Sequence, residues 1–329
     1  MILERVKKVL ADGAEAVVEI IQMPDEERGR TVLRSLEHKD PLWKPHIERS
    51  VAGYFSQVAR DFYFLAFSHD APIGLGYLQV GLENTEVGSM GHIYTSPEMR
   101  GKKTFVAVIE SLLALFEKQG GKALFLQGDI RLYGRFGFAP YGNVKLKVFG
   151  GYPFEEDYFR PQGAVAIRDA NWGDMASTEA LLSWPGGDVG RIGPLDVYRG
   201  TGFEGDFIVA LSLVEYGRAC FKAATDKRGH IGATAYLLKG HSPETSHLGW
   251  VDVFAHPKYE GHLEPLLLSA LQWAGTKGVK LVTAQACGSE QDKLKVYKSA
   301  GFGKRAELPW RVAEGDKKHH TVLLEKKFE

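Results

Sequence analysis

Cysteine is scarce: Cys220 and Cys287 are the only two in 329 residues. Two thiols can build neither a disulfide framework nor a four-thiolate zinc site. Net charge is missing as well, because 41 basic residues balance 41 acidic ones. A dedicated nucleic-acid binder normally carries a basic excess, so that class is disfavoured. No run approaches the ~20 apolar residues of a membrane-spanning helix. The first ten residues interleave Glu4, Arg5, Lys7 and Lys8 with apolar side chains, which leaves no signal-peptide core. No nucleic-acid or membrane partner is expected, and a reduced cytoplasm is the expected location. His241, His247, His256 and His262 lack ligand spacing, and the adjacent His319 and His320 would face opposite sides of a strand. No metal site is expected.

What is present is ordinary globular composition, 44% hydrophobic and 25% charged, over a length comfortable for two domains. The stretch 148–163 is rich in Gly, Pro and aromatics and has no helical period. Residues 164–168 then read as a fresh strand, and Asp174 onward as a helix. The expected division is a domain at 1–150, a linker at 151–163 and a second domain at 164–329.

Two nearly equal halves invite a search for a repeat, and one is present. Ile93-Tyr94-Thr95-Ser96-Pro97-Glu98-Met99-Arg100-Gly101 aligns with Val253-Phe254-Ala255-His256-Pro257-Lys258-Tyr259-Glu260-Gly261. A helical pattern follows each copy: Phe105, Val108, Ile109, Leu112 and Phe116, then Leu263, Leu267, Ala270, Leu271 and Ala274. Each helix meets a glycine stop and a short apolar strand, at 123–126 and at 280–283. A second matched segment comes next, with Leu132-Tyr133-Gly134-Arg135-Phe136-Gly137-Phe138 against Val296-Tyr297-Lys298-Ser299-Ala300-Gly301-Phe302. Upstream, strands at 61–67 and 73–80 correspond to strands at 220–224 and 232–238. The pattern is a mixed α/β fold present twice. One strand is unmatched, since two strands are expected near 306–313 and 320–328, around a hairpin tip at 314–320, but only one, 143–149, in the first half. An exchange of a strand between the halves is the expectation that follows.

A strand ending in Pro, then Arg-Gly and an amphipathic helix, gathers backbone N–H groups and a helix N-terminus at one point, which suits a phosphate. Joined to the downstream Leu-Tyr-x-x-x-Gly-Phe segment, this pattern resembles the GNAT superfamily of acyl-CoA-dependent N-acyltransferases, here as a tandem pair. The resemblance implies a duplicated GNAT-like fold and acetyl-CoA as co-substrate. The backbone of Ile93, Tyr94 and Thr95 would hold the pantetheine arm, and Arg100, Gly101, Lys102, Lys103, Thr104 and Phe105 the pyrophosphate. Tyr133 would protonate the departing thiolate, with Tyr297 as its counterpart. The acceptor would be an amine on a small molecule or a protein.

The first half departs from the family pattern where Lys103 and Phe105 stand at glycine positions. The second half departs further: Glu260-Gly261-His262-Leu263-Glu264-Pro265 sets two carboxylates where a diphosphate would lie, and Pro265 removes a donor. The first half is therefore the expected catalytic one and the second a degenerate copy. A proton acceptor is not marked by any motif. Glu86 and His92 both lie in or before the strand leading to Pro97, and Glu86 is the candidate carried forward. Asp129 reads as a helix cap. Trp43, Phe55, Trp172, Trp184 and Tyr198 fall ahead of the two sheets as candidate linings of an acceptor pocket. The alternative function is a non-catalytic binding or regulatory module on the same fold.

Overall fold

The computed structural model describes residues 1–39, 41, 43–186, 203–314 and 317–328. Two compact units result. One comprises Met1–Pro140, Val144–Tyr152 and Trp172–Ala176; the other comprises Tyr141–Asn143, Pro153–Asn171 and Ser177–Glu329.

The first unit opens with a hairpin, β1 (Ile2–Val9) and β2 (Glu15–Gln22), closed around Asp12 and the left-handed Gly13. Two helices follow, α1 (Glu26–Ser35), capped by Asp25, and α2 (Lys44–Val51). A meander comes next: β3 (Ala59–Ser68), β4 (Ala71–Gly81) and β5 (Val87–Thr95). Helix α3 (Thr104–Lys118), strand β6 (Ala123–Leu126), the single turn α4 (Ile130–Tyr133) and strands β7 (Ala139–Tyr141) and β8 (Val144–Val148) complete it. The sheet runs β1-β2-β3-β4-β5-β6-β8-β7, with β5 and β6 parallel.

Helix α3 buries Val108, Leu112, Leu115 and Phe116 against one face of this sheet. Gly74 and Gly76 of β4 permit the approach: a Cβ on either would lie 2.7 Å from Thr104 Cγ2 or Val108 Cγ1. Helices α1 and α2 cover the other face, where Val32, Leu36 and Ile47 meet Tyr63, Leu65, Leu75 and Tyr77. Residues alternate across β4 as the strand period demands.

The second unit carries α5 (Phe154–Tyr158), β9 (Ala166–Asp169), α6 (Met175–Leu182) and α7 (Phe203–Glu215). Strands β10 (Ala219–Thr225), β11 (Ile231–Lys239) and β12 (Leu248–Ala255) lead to α8 (Leu263–Thr276) and β13 (Leu281–Cys287). Helix α9 (Gln291–Ser299) and the hairpin β14 (Gly303–Glu314) and β15 (Lys317–Lys327) end it. Its sheet order is β14-β15-β13-β12-β11-β10-β9.

Read outward from β5 and from β12, the two orders coincide strand for strand, from β2 to β8 and from β9 to β15. Only β1 lacks a counterpart. The fold is therefore a duplicated mixed α/β architecture. The expected strand exchange does not occur, because each sheet is assembled from its own half of the sequence. The strand thought missing from the first half is β7, three residues long and too short to leave a periodic signal. Within 151–163, the turn of helix α5 has Phe154, Tyr158 and Phe159 buried. The tip of the β14–β15 hairpin, 315–316, and Tyr198 lie outside the described residues.

Candidate functional site

The first unit's sheet opens at its centre. β6 pairs with β5 only from Val87↔Ala123 to Met90↔Leu126. Beyond Met90, β5 continues to Thr95 with β4 on one side alone, Leu75↔Tyr94 and Gly74↔Thr95. The β4–β5 register also slips between Leu75 and Tyr77, which leaves a bulge at Gly91–Ile93, and there His92 is left-handed with φ 51°. Ile93, Tyr94 and Thr95 thus present a strand edge to the gap, able to pair with an extended amide-bearing arm.

Below the gap is the loop that leads into α3. Gly101 has φ 79°, open space where a Cβ would be, and exposed neighbours Arg100 and Lys103. Lys103, the residue before the helix, is itself left-handed at φ 69°. Lys102 reaches Asp12 at 3.3 Å, and its carbonyl accepts from Ala11 N at 3.0 Å, fixing the loop to the β1–β2 turn. The first turn of α3 carries no acidic residue, and its leading N–H groups have no acceptor within the helix. Thr104 is buried in that turn, and its Oγ1 has no hydrogen-bond partner among the described residues. This combination fits a diphosphate: open backbone, three cations and an orphaned hydroxyl.

Tyr133 stands beside the gap. Its ring packs over Gly128, where a Cβ would collide with it, and meets Phe105 at 5.5 Å and Phe138 at 6.1 Å. Burial pushes its phenol up to about 12, so the group is a proton donor at every ordinary pH. No partner for its hydroxyl is recorded among the described residues. Phe105, expected at the pyrophosphate, instead braces Tyr133 and Phe136. Asp129 caps α4, as its position implied, through Arg131 N at 2.9 Å.

Glu86 is not brought to this place. It sits at the far end of β5, held by Lys122 at 2.6 Å, roughly 20 Å from Ile93 at the rise of an extended strand. His92 is at the gap. Its ring lies on the α2 face, 5.4 Å from Trp43, 5.3 Å from Tyr77 and 6.2 Å from His46. Phe55 and Trp172 belong to the same cluster, both within 6 Å of His46. His46 carries no mark in the sequence beyond its spacing with Ile47 and Ser50, the three residues that α2 buries.

In the second unit β12 and β13 also part, after Val251↔Ala284, and side chains occupy part of the opening. Asp252, aligned with His92, is buried and ion-paired to Lys293 at 2.6 Å. The hydroxyl of Tyr297, fully buried, donates to Asp252 at 3.4 Å. The loop that follows differs in every respect. Tyr259 lies where Gly232 has no side chain, Glu264 occupies the first turn of α8 and accepts from Ser299 at 2.7 Å, and Pro265 follows. A cleft of about 200 Å³ remains along Val253, Phe254 and Ala255, the counterparts of Ile93, Tyr94 and Thr95, and reaches Trp184, Glu260 and Lys293. Among the described residues of the chain no helix is long and apolar enough to cross a membrane, and no group of acidic, His or Cys side chains is arranged for a metal ion.

Comparison with known proteins gives the same reading of the first unit. Residues 28–138 match the model of the acetyltransferase (GNAT) family, a span from α1 to the Gly137-Phe138 turn that contains the whole gap, loop and tyrosine. No curated protein matches the chain. Solved structures similar to it include an acetyltransferase of the GNAT family from Streptococcus pneumoniae, 18% identical over 50% of this chain and 100% of that one, TM-score 0.43. A GNAT superfamily phosphinothricin acetyltransferase from Sinorhizobium meliloti, solved in complex with acetyl-CoA, is 14% identical over 50% and 89%, TM-score 0.43. A ribosomal-protein-alanine N-acetyltransferase from Brucella melitensis is 13% identical over 50% and 99%, TM-score 0.41.

Proposed function

We propose that the first unit, whose residues 28–138 match the model of the GNAT acetyltransferase family, is an acetyl-CoA-dependent N-acetyltransferase and that the second unit is a non-catalytic copy. The observation that carries this reading is the gap between β5 and β6, with a cationic loop below it and Tyr133 beside it. The edge of Ile93–Thr95 receives the pantetheine amides. Arg100, Lys102, Lys103 and the first turn of α3 hold the diphosphate, by charge more than by a glycine-lined backbone nest.

The reaction is direct attack. An amine nitrogen bonds to the acetyl carbon and sheds one proton to a base, the carbon–sulfur bond breaks, and the thiolate takes the proton of Tyr133, whose phenolate is then reprotonated from solvent. No covalent enzyme intermediate is needed. The acceptor is a primary amine, on a small molecule or a protein. The second unit is read as the non-catalytic copy because Asp252, Lys293 and Tyr297 occupy part of its gap, beside the cleft along Val253, Phe254 and Ala255, and its loop carries Glu260 and Glu264.

The test is stabilisation by ligand. Acetyl-CoA at 100 times its dissociation constant adds about 2.7 kcal/mol to a protein that binds it only when folded, so the thermal midpoint of the first unit rises measurably. Lys103 and Phe105 at glycine positions favour a second reading, a binding module that has lost the cofactor. A thermal midpoint indifferent to millimolar acetyl-CoA decides for that module.

A further inference from the structure

The α2 face of the first unit buries two imidazoles with ring nitrogens that have no hydrogen-bond partner among the described residues. His46 is 1% exposed and neither ring nitrogen has a partner; His92 is 6% exposed and its Nε2 is likewise orphaned. A buried polar group left unsatisfied is costly, and a non-glycine residue held left-handed adds to that cost. Three such costs within one cluster, at the bulge that borders the gap, mark a place shaped for a partner that the described residues do not supply.

The gap connects the two faces of the sheet. Ile93 points to the α3 side, where it crowds Gly76 beside Val108, so His92, one residue earlier, points to the α2 side. The second unit shows how close the two faces come. There the residue aligned with His92, Asp252, touches the hydroxyl of Tyr297, the counterpart of Tyr133. A group lying in the first unit's gap therefore has Tyr133 on one side and His92 on the other.

We propose that His92 takes the proton of the attacking amine, with His46 as the residue that positions it, and that the amine arrives uncharged. This rests on the transferase reading above. The amine nitrogen forms its bond to the acetyl carbon and passes one proton to His92 Nε2; the carbon–sulfur bond breaks and the sulfur leaves with the proton of Tyr133. His92 then releases its proton to solvent past Trp43, a half-buried member of the cluster, and the Tyr133 phenolate takes one back from solvent. The surroundings exclude an ammonium ion. Arg49 on α2 and Lys39 after α1 face the imidazoles with positive charge. Asp61 on β3, the carboxylate of this face, accepts from Tyr77 at 2.7 Å and Gln79 at 3.1 Å. Burial, with His46 and Lys39 beside it, holds His92 well below the usual imidazole range, so it is unprotonated and ready at neutral pH.

The experiment uses the full chain, acetyl-CoA and a panel of primary amines. His92→Gly suits the left-handed backbone, and it lowers kcat/KM for the amine at least ~100-fold while the acetyl-CoA dissociation constant stays within about threefold of the parent. Added imidazole restores at least ~10-fold of the loss; pyrazole, the same shape and a far weaker base, restores none. His92→Asn, which also tolerates this backbone, shows the same loss and no rescue. In the parent chain, kcat/KM for an alkylamine rises about tenfold per pH unit up to the amine's own pKa. Equal rescue by pyrazole, a flat pH profile, or turnover surviving both substitutions overturns the role of His92 and leaves the transferase standing. A parent chain that binds acetyl-CoA and transfers to no amine overturns both.

Discussion

The loop Arg100–Thr104 and the loop Glu260–Glu264 occupy the same place in two copies of one fold, with opposite chemistry. The first presents three cations, an open Gly101 and an orphaned Thr104 hydroxyl. The second places Tyr259 against the sheet and puts the Glu264 carboxylate at the helix N-terminus, the position an anionic ligand would take. The gaps above them differ in the same sense. His92 and Tyr133 border an opening where His92 Nε2 lacks a partner among the described residues, while Lys293 and Tyr297 both bond Asp252 Oδ1 and leave its Oδ2 unpaired. The lesson is that the architecture alone has no function. A gap becomes a site when its polar groups are left for a ligand, and a structural joint when they are spent on each other.

The largest effect that tests this contrast is at the paired tyrosines. Tyr133→Phe removes one hydroxyl and is expected to lower kcat about 10²–10⁴-fold, with acetyl-CoA affinity nearly unchanged. Tyr297→Phe leaves turnover alone. Steady-state kinetics with direct binding separates the two; a loss at Tyr297 rather than Tyr133 would reverse the assignment of the units.

Next in size is the joint itself. Lys293→Met strands the Asp252 carboxylate in the second unit's interior, where removing one partner of a buried ion pair costs about 3–5 kcal/mol. Burial drives the Asp252 carboxyl up and Lys293 restrains it, so the variant binds a proton on folding. Denaturant unfolding shows the loss, and transfer per folded molecule stays at the parent level if this unit is structural. Smaller again is reversal of the loop charge. Lys102→Glu with Lys103→Glu removes two charge-assisted contacts to the diphosphate and weakens acetyl-CoA binding about 10–100-fold, whereas Glu260→Lys has no effect on it.

Much of this contrast can be read in the sequence, because its parts are local. The Arg-Gly turn, the helix at 104–118 and the two Tyr-x-x-x-Gly-Phe segments sit where their patterns place them, and charge reversal at 260–264 is visible as letters. What the sequence hides is long-range. β1 is an edge strand with Glu4, Arg5, Lys7 and Lys8 along it, so it lacks the alternation of a strand with one buried face. β7 has three residues. The bulge at His92 exists only as a register slip between β4 and β5, and nothing local distinguishes His46 from a solvent-facing histidine. Glu86 was a reasonable base by strand membership, but a strand has two ends, and Lys122 holds it at the wrong one.

The buried histidines also separate the units by acid response. Burial and Arg49 hold His46 at about 3, so the folded first unit refuses a proton that the unfolded chain accepts below about pH 6.5. The stabilisation is complete above pH 6.5 and is lost as pH falls, by about 1.4 kcal/mol per unit for this group until its folded pKa is reached. His92 adds in the same direction. The second unit has His256, at about 4 and stacked between Phe159 and Trp184. Unfolding followed from pH 7 to pH 5 is expected to show the first unit yielding more steeply, and His46→Phe to flatten its slope; equal slopes would deny the imidazoles their burial.

The smallest effect lies at Lys103. A lysine at φ 69° carries the strain of a left-handed L-residue, about 1–2 kcal/mol by steric estimate, at a position the first unit does not need for packing, since the side chain is exposed. Lys103→Gly relieves that strain at the cost of a more flexible unfolded chain, for a net gain of about 0.5–1 kcal/mol. If the lysine is kept for its charge, the variant becomes more stable and binds acetyl-CoA more weakly, so two measurements move in opposite directions. If the backbone approach matters more than the charge, glycine improves both. Thermal denaturation with and without acetyl-CoA decides, and the second outcome would mean that this loop binds its diphosphate through backbone N–H groups after all.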